Sequence, residues 1–151
     1  MPILTATERD GRWMPLVTVR LVVGTLASEV EALVDSGADQ SIMHASNLPP
    51  AVSWESLSSM HRDHAVGPSG IHGRVEVRLL TGIHLSCQSH EFASQLAIIK
   101  GEAPLPFQLV LGRDDFFTRY AVKFNWHQTP PTFSVDWVPR HPLRRSVPRT
   151  G

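Results

Sequence analysis

Apolar and polar residues alternate from Pro15 to Val23, with Val17, Val19, Leu21 and Val23 on one face, the two-residue period of a half-buried β-strand. Gly24-Thr25 reads as the turn that follows. A second apolar run, Val30 to Val34, predicts another strand and stops at Asp35-Ser36-Gly37-Ala38, where an acidic residue and a glycine interrupt a buried pattern. Ser41-Ile42-Met43 resumes a short strand. Asn47-Leu48-Pro49-Pro50 predicts a loop, because adjacent prolines fix their backbone angles and donate no hydrogen bonds.

The glycine-rich segment Val66-Gly67-Pro68-Ser69-Gly70-Ile71-His72-Gly73 predicts a turn leading into Val75 to Leu79, together a long exposed hairpin arm. Ile83 to Leu85, Phe92 to Ile99 and Phe107 to Leu111 are further strand candidates. The last of these stops at Gly112-Arg113-Asp114, and Asp114 is expected to cap one short helix running through Asp115, Phe116, Phe117 and Tyr120. Ala121 to Trp126 and Thr132 to Trp137 flank a proline loop and predict a C-terminal hairpin. Beyond Val138, Pro139, Pro142 and Pro148 mix with Arg140, Arg144, Arg145 and Arg149, which predicts a basic, disordered tail. The expectation is an all-β domain over residues 1–138 with one short helix, followed by the tail at 139–151.

Composition narrows the functional classes. A chain of 151 residues, 42% hydrophobic and 19% charged, can build a single core without disulfides or metals. Fourteen basic residues balance fourteen acidic ones, so no global field draws the protein to nucleic acid or to an anionic membrane, and neither partner is expected. The lone Cys87, in Leu85-Ser86-Cys87-Gln88, reads as a structural thiol in a strand. No apolar run approaches the ~20 residues that cross a bilayer, and Met1 to Trp13 lacks the apolar core of a signal peptide, so a cytoplasmic location is expected. The eight histidines, including the nearby His61 and His64, are scattered through polar segments rather than grouped in metal-ligand sets, and neither metal nor cofactor is expected. A serine hydrolase is disfavoured because Ser36 lacks the Gly-x-Ser-x-Gly setting, and no phosphate-binding Gly-Lys-Ser/Thr loop is present.

The stretch Ala32-Leu33-Val34-Asp35-Ser36-Gly37-Ala38 resembles the active-site motif of the retropepsins, the retroviral type of aspartic protease. Three other segments fall in that family's order. Pro15-Leu16-Val17-Thr18-Val19 is similar to its first strand, Val66 to Gly73 stands where its flap does, and Val110-Leu111-Gly112-Arg113-Asp114 is similar to its late Gly-Arg-Asp/Asn motif. The resemblance covers roughly Met14 to Phe124. It implies a small closed, β-barrel-like fold with one short helix, in which each subunit supplies one Asp and a homodimer is the working unit. Gly112-Arg113-Asp114-Asp115 lacks the Asp-Ser/Thr-Gly order, so an internally duplicated enzyme is rejected.

The roles that the resemblance implies are specific. Asp35 would be half of a water-activating pair, the Ser36 hydroxyl would hold the site by hydrogen bonds, and Gly37 would let backbone approach the carboxylate. Two carboxylates held close cannot both ionise cheaply, so the pair shares a proton, with one member acting as base and the other as donor. Ala38 and Asp39, with Val66, Gly67, Gly70 and Ile71 of the flap, would bind an extended peptide as an added strand. Arg113 would meet Asp39 in a bidentate contact, with Asp114 in support, and Ile42 and Leu109 are further candidate pocket walls. The implied activity is an endopeptidase acting on peptide or polyprotein, and the alternative is a protease-like module that binds peptide without cutting it. The sequence departs from the family at Met14, where many viral members carry an arginine that bridges subunits, and at Pro68 and His72 of the flap. Its C-terminal hairpin also extends past the usual end, and Phe124, Trp126, Phe133 and Trp137 either cover a subunit interface or pack on their own chain.

Overall fold

The computed structural model describes residues 2–59, 76–101 and 105–139. The expected flap at Val66 to Gly73 and the tail beyond Pro139 lie outside them. Among the described residues the strands are β1 (Ile3–Thr5), β2 (Thr7–Arg9), β3 (Arg12–Met14), β4 (Leu16–Val23), β5 (Leu26–Val34), β6 (Ser41–His44), β7 (Ser58–Ser59), β8 (Glu76–Cys87), β9 (His90–Lys100), β10 (Leu109–Leu111), β11 (Tyr120–Asn125) and β12 (Thr132–Trp137).

Six of them form a ring in the order β4-β5-β10-β6-β9-β8, closed by pairing of β8 back onto β4, with β7 attached beside β8. Closure leaves few unpaired strand edges. Most neighbours are antiparallel, including β4 with β5 from Leu16↔Leu33 to Val23↔Leu26. Two contacts are parallel: β10 with β5, where Leu111 faces Val34, and β6 with β9, where Ser41 faces Leu96. The alternation read from the sequence is realised here. Val17, Val19 and Leu21 of β4 and Val30, Ala32 and Val34 of β5 point into the main core with Leu85, Leu96, Ile98, Leu109, Leu111 and Phe116. Each fully buried Val, Leu or Phe contributes about 1.5–3 kcal/mol of transfer free energy, so register is set by which alternate residues reach this interior. Leu109, read as a possible pocket wall, belongs to this interior and is 0% exposed.

The opposite face carries a smaller apolar cluster of Leu16, Leu33, Ala38, Val77, Ala97, Ile99, Leu105, Phe107 and Val110, with Met14 and Ile42 packed against it. Outside the ring, β12 lies between β1 and β11 in a three-stranded sheet, and β2 pairs with β3 as a separate hairpin. The aromatics of the C-terminal hairpin divide. Phe133 is fully buried, and Trp137 stacks on His90 at 4.6 Å and meets Tyr120 edge-on at 5.2 Å. Phe124 and Trp126 stay at the surface, 42% and 41% exposed, and contact each other at 5.6 Å.

The strands β1 to β3 were not expected from the sequence, and one expectation needs correction. The helix after Asp114 is replaced by a run of turns over 113–119. Its bonds step unevenly, from Phe117 N–H to Gly112 O, from Arg119 N–H to Phe116 O and from Tyr120 N–H to Phe116 O. The Phe116 amide is taken by the Asp115 carboxylate at 2.7 Å, so no regular i to i−4 ladder begins. Among the described residues the helical turns are two short 3-10 segments, Ala45–Asn47 and Trp54–Ser56, and no helix is long and apolar enough to cross a membrane.

Candidate active site

Asp35 sits where β5 leaves the ring. Its amide still donates to Leu111 O of β10 at 3.1 Å, and the preceding Val34 N–H donates to Pro15 O at 3.0 Å, so the carboxylate starts from a backbone pinned on both sides. The chain then turns: Ala38 N–H donates to Asp35 O at 3.2 Å, and Gly37 N–H donates to Asp35 Oδ1 at 2.9 Å. A Cβ on Gly37 would stand 3.1 Å from that same oxygen, so the bare glycine is what lets the amide close on the carboxylate. Asp35 is half-buried, Ser36 and Gly37 are exposed, and Ala38 is buried as the foot of the turn. The Ser36 hydroxyl has no hydrogen-bond partner among the described residues.

The segment leaving β10 supports the turn from behind. Arg113 N–H donates to Ala38 O and Asp114 N–H to Asp39 O, both at 2.9 Å. These bonds require close approach at Gly112, where a Cβ would lie 2.5 Å from the carbonyl carbon and oxygen of Gln40. Arg113 and Asp39 do pair, but through one guanidinium nitrogen and one carboxylate oxygen rather than the bidentate contact expected. Their side chains are 57% and 66% exposed, so the pair orients the turn more than it stabilises the fold. The ion pair engaging both oxygens is one the sequence did not suggest: Arg9 Nη2 donates to Glu31 Oε1 and Oε2 at 2.7 and 2.8 Å.

Asp114 is exposed and contributes its backbone, and the adjacent Asp115 is the structural carboxylate. The Ser41 hydroxyl donates to Asp115 Oδ1 at 2.6 Å, and Ser94 donates to Oδ2. Ser41 in turn accepts from Gly112 N–H at 3.1 Å. Both serines are buried, at 1% and 6% exposure, so this node fixes β6, β9 and the Gly112 segment to one another. A cavity of about 370 Å³ opens beside it, lined by Ser41, His84, Ser94 and Asp115 among others and by none of Asp35, Ser36 or Gly37.

Of the remaining substrate-contact candidates, Ile42 is half-buried against the smaller apolar cluster, and Val66, Gly67, Gly70 and Ile71 lie outside the described residues. Cys87 closes β8 as a buried thiol, and burial pushes it up from 9.0 to about 11, the mark of an unreactive group. Burial likewise raises Tyr120, with a smaller push from Cys87, and its hydroxyl donates to Cys87 O at 2.7 Å. Among the described residues no three His, Cys, Asp or Glu side chains gather as a metal site.

A closed β ring carrying one Asp-Ser-Gly turn, braced by a Gly-Arg-Asp exit strand, is the arrangement of an aspartic-protease-like protein. Residues 12–124 match the model of the retroviral aspartyl protease family, and the chain belongs to that family. A comparison with curated proteins gave no match. Family membership supports a hydrolase of the aspartic protease type.

Proposed function

We propose that the chain is one subunit of a homodimeric aspartic endopeptidase, with Asp35 of each subunit facing its counterpart across a two-fold axis. The observation that carries this reading is the Asp35 turn itself: a half-buried carboxylate on a doubly pinned backbone, with Ser36 unpartnered among the described residues. A second copy would supply both the missing carboxylate and a partner for the Ser36 hydroxyl. Among the described residues the outer edges of β1 and β11 are unpaired and Phe124 and Trp126, in and just after β11, are exposed, which supports a dimer joined on this side.

In the pair, one carboxylate is ionised and takes a proton from a water held between them as that water attacks the scissile carbonyl. The protonated partner donates to the developing oxyanion, then the proton passes to the leaving amine. No covalent intermediate forms. Ala38 N–H, Ala38 O and Asp39 O are engaged by Asp35, Arg113 and Asp114, so at this turn the Asp39 N–H is the group we assign to an extended peptide bound as an added strand. Selection of an extended, flexible segment suits a polyprotein linker.

Hydrolysis of an unstructured protein by the unsubstituted chain, compared with Asp35→Asn, tests the reading. Activity is expected to vanish in the variant and to rise faster than linearly with dilute enzyme, as a dimer requires. A dimer confirmed by sedimentation that binds peptide and never cuts it would favour the non-catalytic binding module instead.

A further inference from the structure

Strands β8 and β9 pair along most of their length, but the register slips between Leu80 and Ile83, where β8 carries one residue more than β9. Gly82 makes the bulge with a φ of +69°, a conformation that other residues rarely adopt. The strands part beside the node of Ser41, Ser94 and Asp115, and the cavity of about 370 Å³ opens there. Small-ligand clefts begin at about 300 Å³, so the space suits one side chain or one small molecule.

Its chemistry is one-sided. Asp114 and Asp115 line it and no Lys or Arg does, and neither carboxylate has an ion-pair partner among the described residues. A carboxylate accepts about four hydrogen bonds. Asp115 takes three, from Ser41 and the Phe116 amide at Oδ1 and from Ser94 at Oδ2, which leaves one position open on Oδ2. Ser94 is 6% exposed, and its hydroxyl gives its proton to Asp115 and accepts none among the described residues. The side chains of Asp114, Gln40 and Gln95 likewise make no hydrogen bond there. Acceptors held in place and short of donors call for a cation with several N–H groups. A planar guanidinium presents five in a fixed fork, whereas an ammonium presents three around a point. Ile83 and Ala93 give its stem an apolar wall.

We propose that this cavity is a guanidinium site, receiving an arginine side chain with its head among the oxygens of Asp114, Asp115, Gln40 and Gln95. None of Asp35, Ser36 and Gly37 lines it, so the proposal stands apart from peptide hydrolysis. The chain itself carries one source of the ligand. Val138 N–H donates to Arg119 O at 2.8 Å, and Arg119 belongs to the same run of turns as Asp115. Beyond Pro139 the sequence holds Arg140, Arg144, Arg145 and Arg149 and no acidic residue.

The test uses the full-length chain with Arg140→Gln, Arg144→Gln, Arg145→Gln and Arg149→Gln, whose own arginines there cannot compete. It is titrated with N-butylguanidinium and with N-butylurea, the neutral isostere, while backbone amide NMR shifts are followed. Butylguanidinium is expected to bind about tenfold or more tighter than butylurea and to shift Gly82, Ser94, Gln95 and Asp114. Asp114→Asn should weaken it about two- to fivefold, and Ala93→Trp, at an exposed position on the cavity wall, should abolish saturation. The Asp114 side chain is exposed, so its variant keeps the test open should Ala93→Trp unfold the protein. No saturable shifts at the lining, equal affinity for the two probes, or affinity unchanged by Asp114→Asn overturns the proposal. The unsubstituted chain then identifies the source. Weaker butylguanidinium binding than in the substituted chain assigns the site to the chain's own arginine, and equal binding assigns it to an arginine brought by another molecule; either result upholds the site.

Discussion

Replacing Gly112 by alanine asks how closely the Asp35 turn rests on the strand exit behind it. A Cβ there would stand 2.5 Å from the carbonyl carbon and oxygen of Gln40 and 3.0 Å from Ala38 O, and all three are backbone atoms that cannot swing aside. Glycine to alanine at a compatible backbone stabilises by about 0.4–1 kcal/mol through the unfolded chain, so the clash decides the sign. Overpacking destabilises by about 1–3 kcal/mol. Displacing the Gln40 peptide also stretches the Gly112 N–H to Ser41 Oγ bond and the Arg113 N–H to Ala38 O bond, each worth about 1 kcal/mol net. A loss of about 3 kcal/mol follows, which for a chain of this size lowers Tm by roughly 6–12 °C. Urea unfolding followed by tryptophan fluorescence measures the midpoint. Peptide hydrolysis, assayed where both proteins are folded, should fall on the order of 10²-fold if the turn moves by an ångström. An alanine variant with wild-type midpoint and activity would refute the reasoning.

Asp115→Ala leaves the buried Ser41 and Ser94 hydroxyls and the Phe116 amide without their acceptor, and should lower stability by about 2–4 kcal/mol in urea titration. Asp114→Ala should stay within about 0.5 kcal/mol, since that side chain is exposed; equal losses from the two would discard the assignment of Asp115 as the node. Because burial raises the Cys87 thiol from 9.0 to about 11, the folded state keeps a proton that the unfolded chain releases. Its stabilisation is complete below pH 9 and is lost by about pH 11, a change of about 2–3 kcal/mol. The raised Tyr120 steepens the same alkaline decline. Cys87→Ala should flatten the decline from its lower end, and identical slopes in the two proteins would contradict the burial argument.

The parts of the fold that the sequence announces are those where one residue pattern serves one packing surface. Val17 to Val23 and Val30 to Val34 alternate because one face of each strand fills the ring. The Asp35-Ser36-Gly37 turn shows because it breaks such a pattern. By contrast, β1, β2 and β3 are three residues each, too short for a period to appear, and β1 exists only through pairing with β12 near the other end of the chain. Likewise, nothing local tells Asp114 from Asp115: which one turns inward depends on Ser41 and Ser94, brought up by β6 and β9. The helix expectation failed for a related reason: Asp114, the expected cap, is exposed, and the neighbouring Asp115 carboxylate is spent on those serines and on the single amide of Phe116. The Arg9 to Glu31 pair was hidden because it depends on where the hairpin lands.

Strand β10 is wedged between β5 and β6, so two segments that follow each other closely in the chain never touch as ring neighbours until a third arrives. On a ribosome that third piece comes late. Asp35 has been made long before Leu109 to Leu111 emerge, and at about 5–20 residues per second the interval is several seconds. Throughout that time the carboxylate exists without Leu111 O to hold its amide and without Gly112 to brace its turn. A growing chain therefore carries Asp35 before the backbone contacts that fix its turn. Under the peptidase reading, hydrolytic competence would arrive only after Leu109 to Gly112 have emerged and paired, a delay in the order of manufacture that shields the nascent polypeptide and its neighbours from premature cutting.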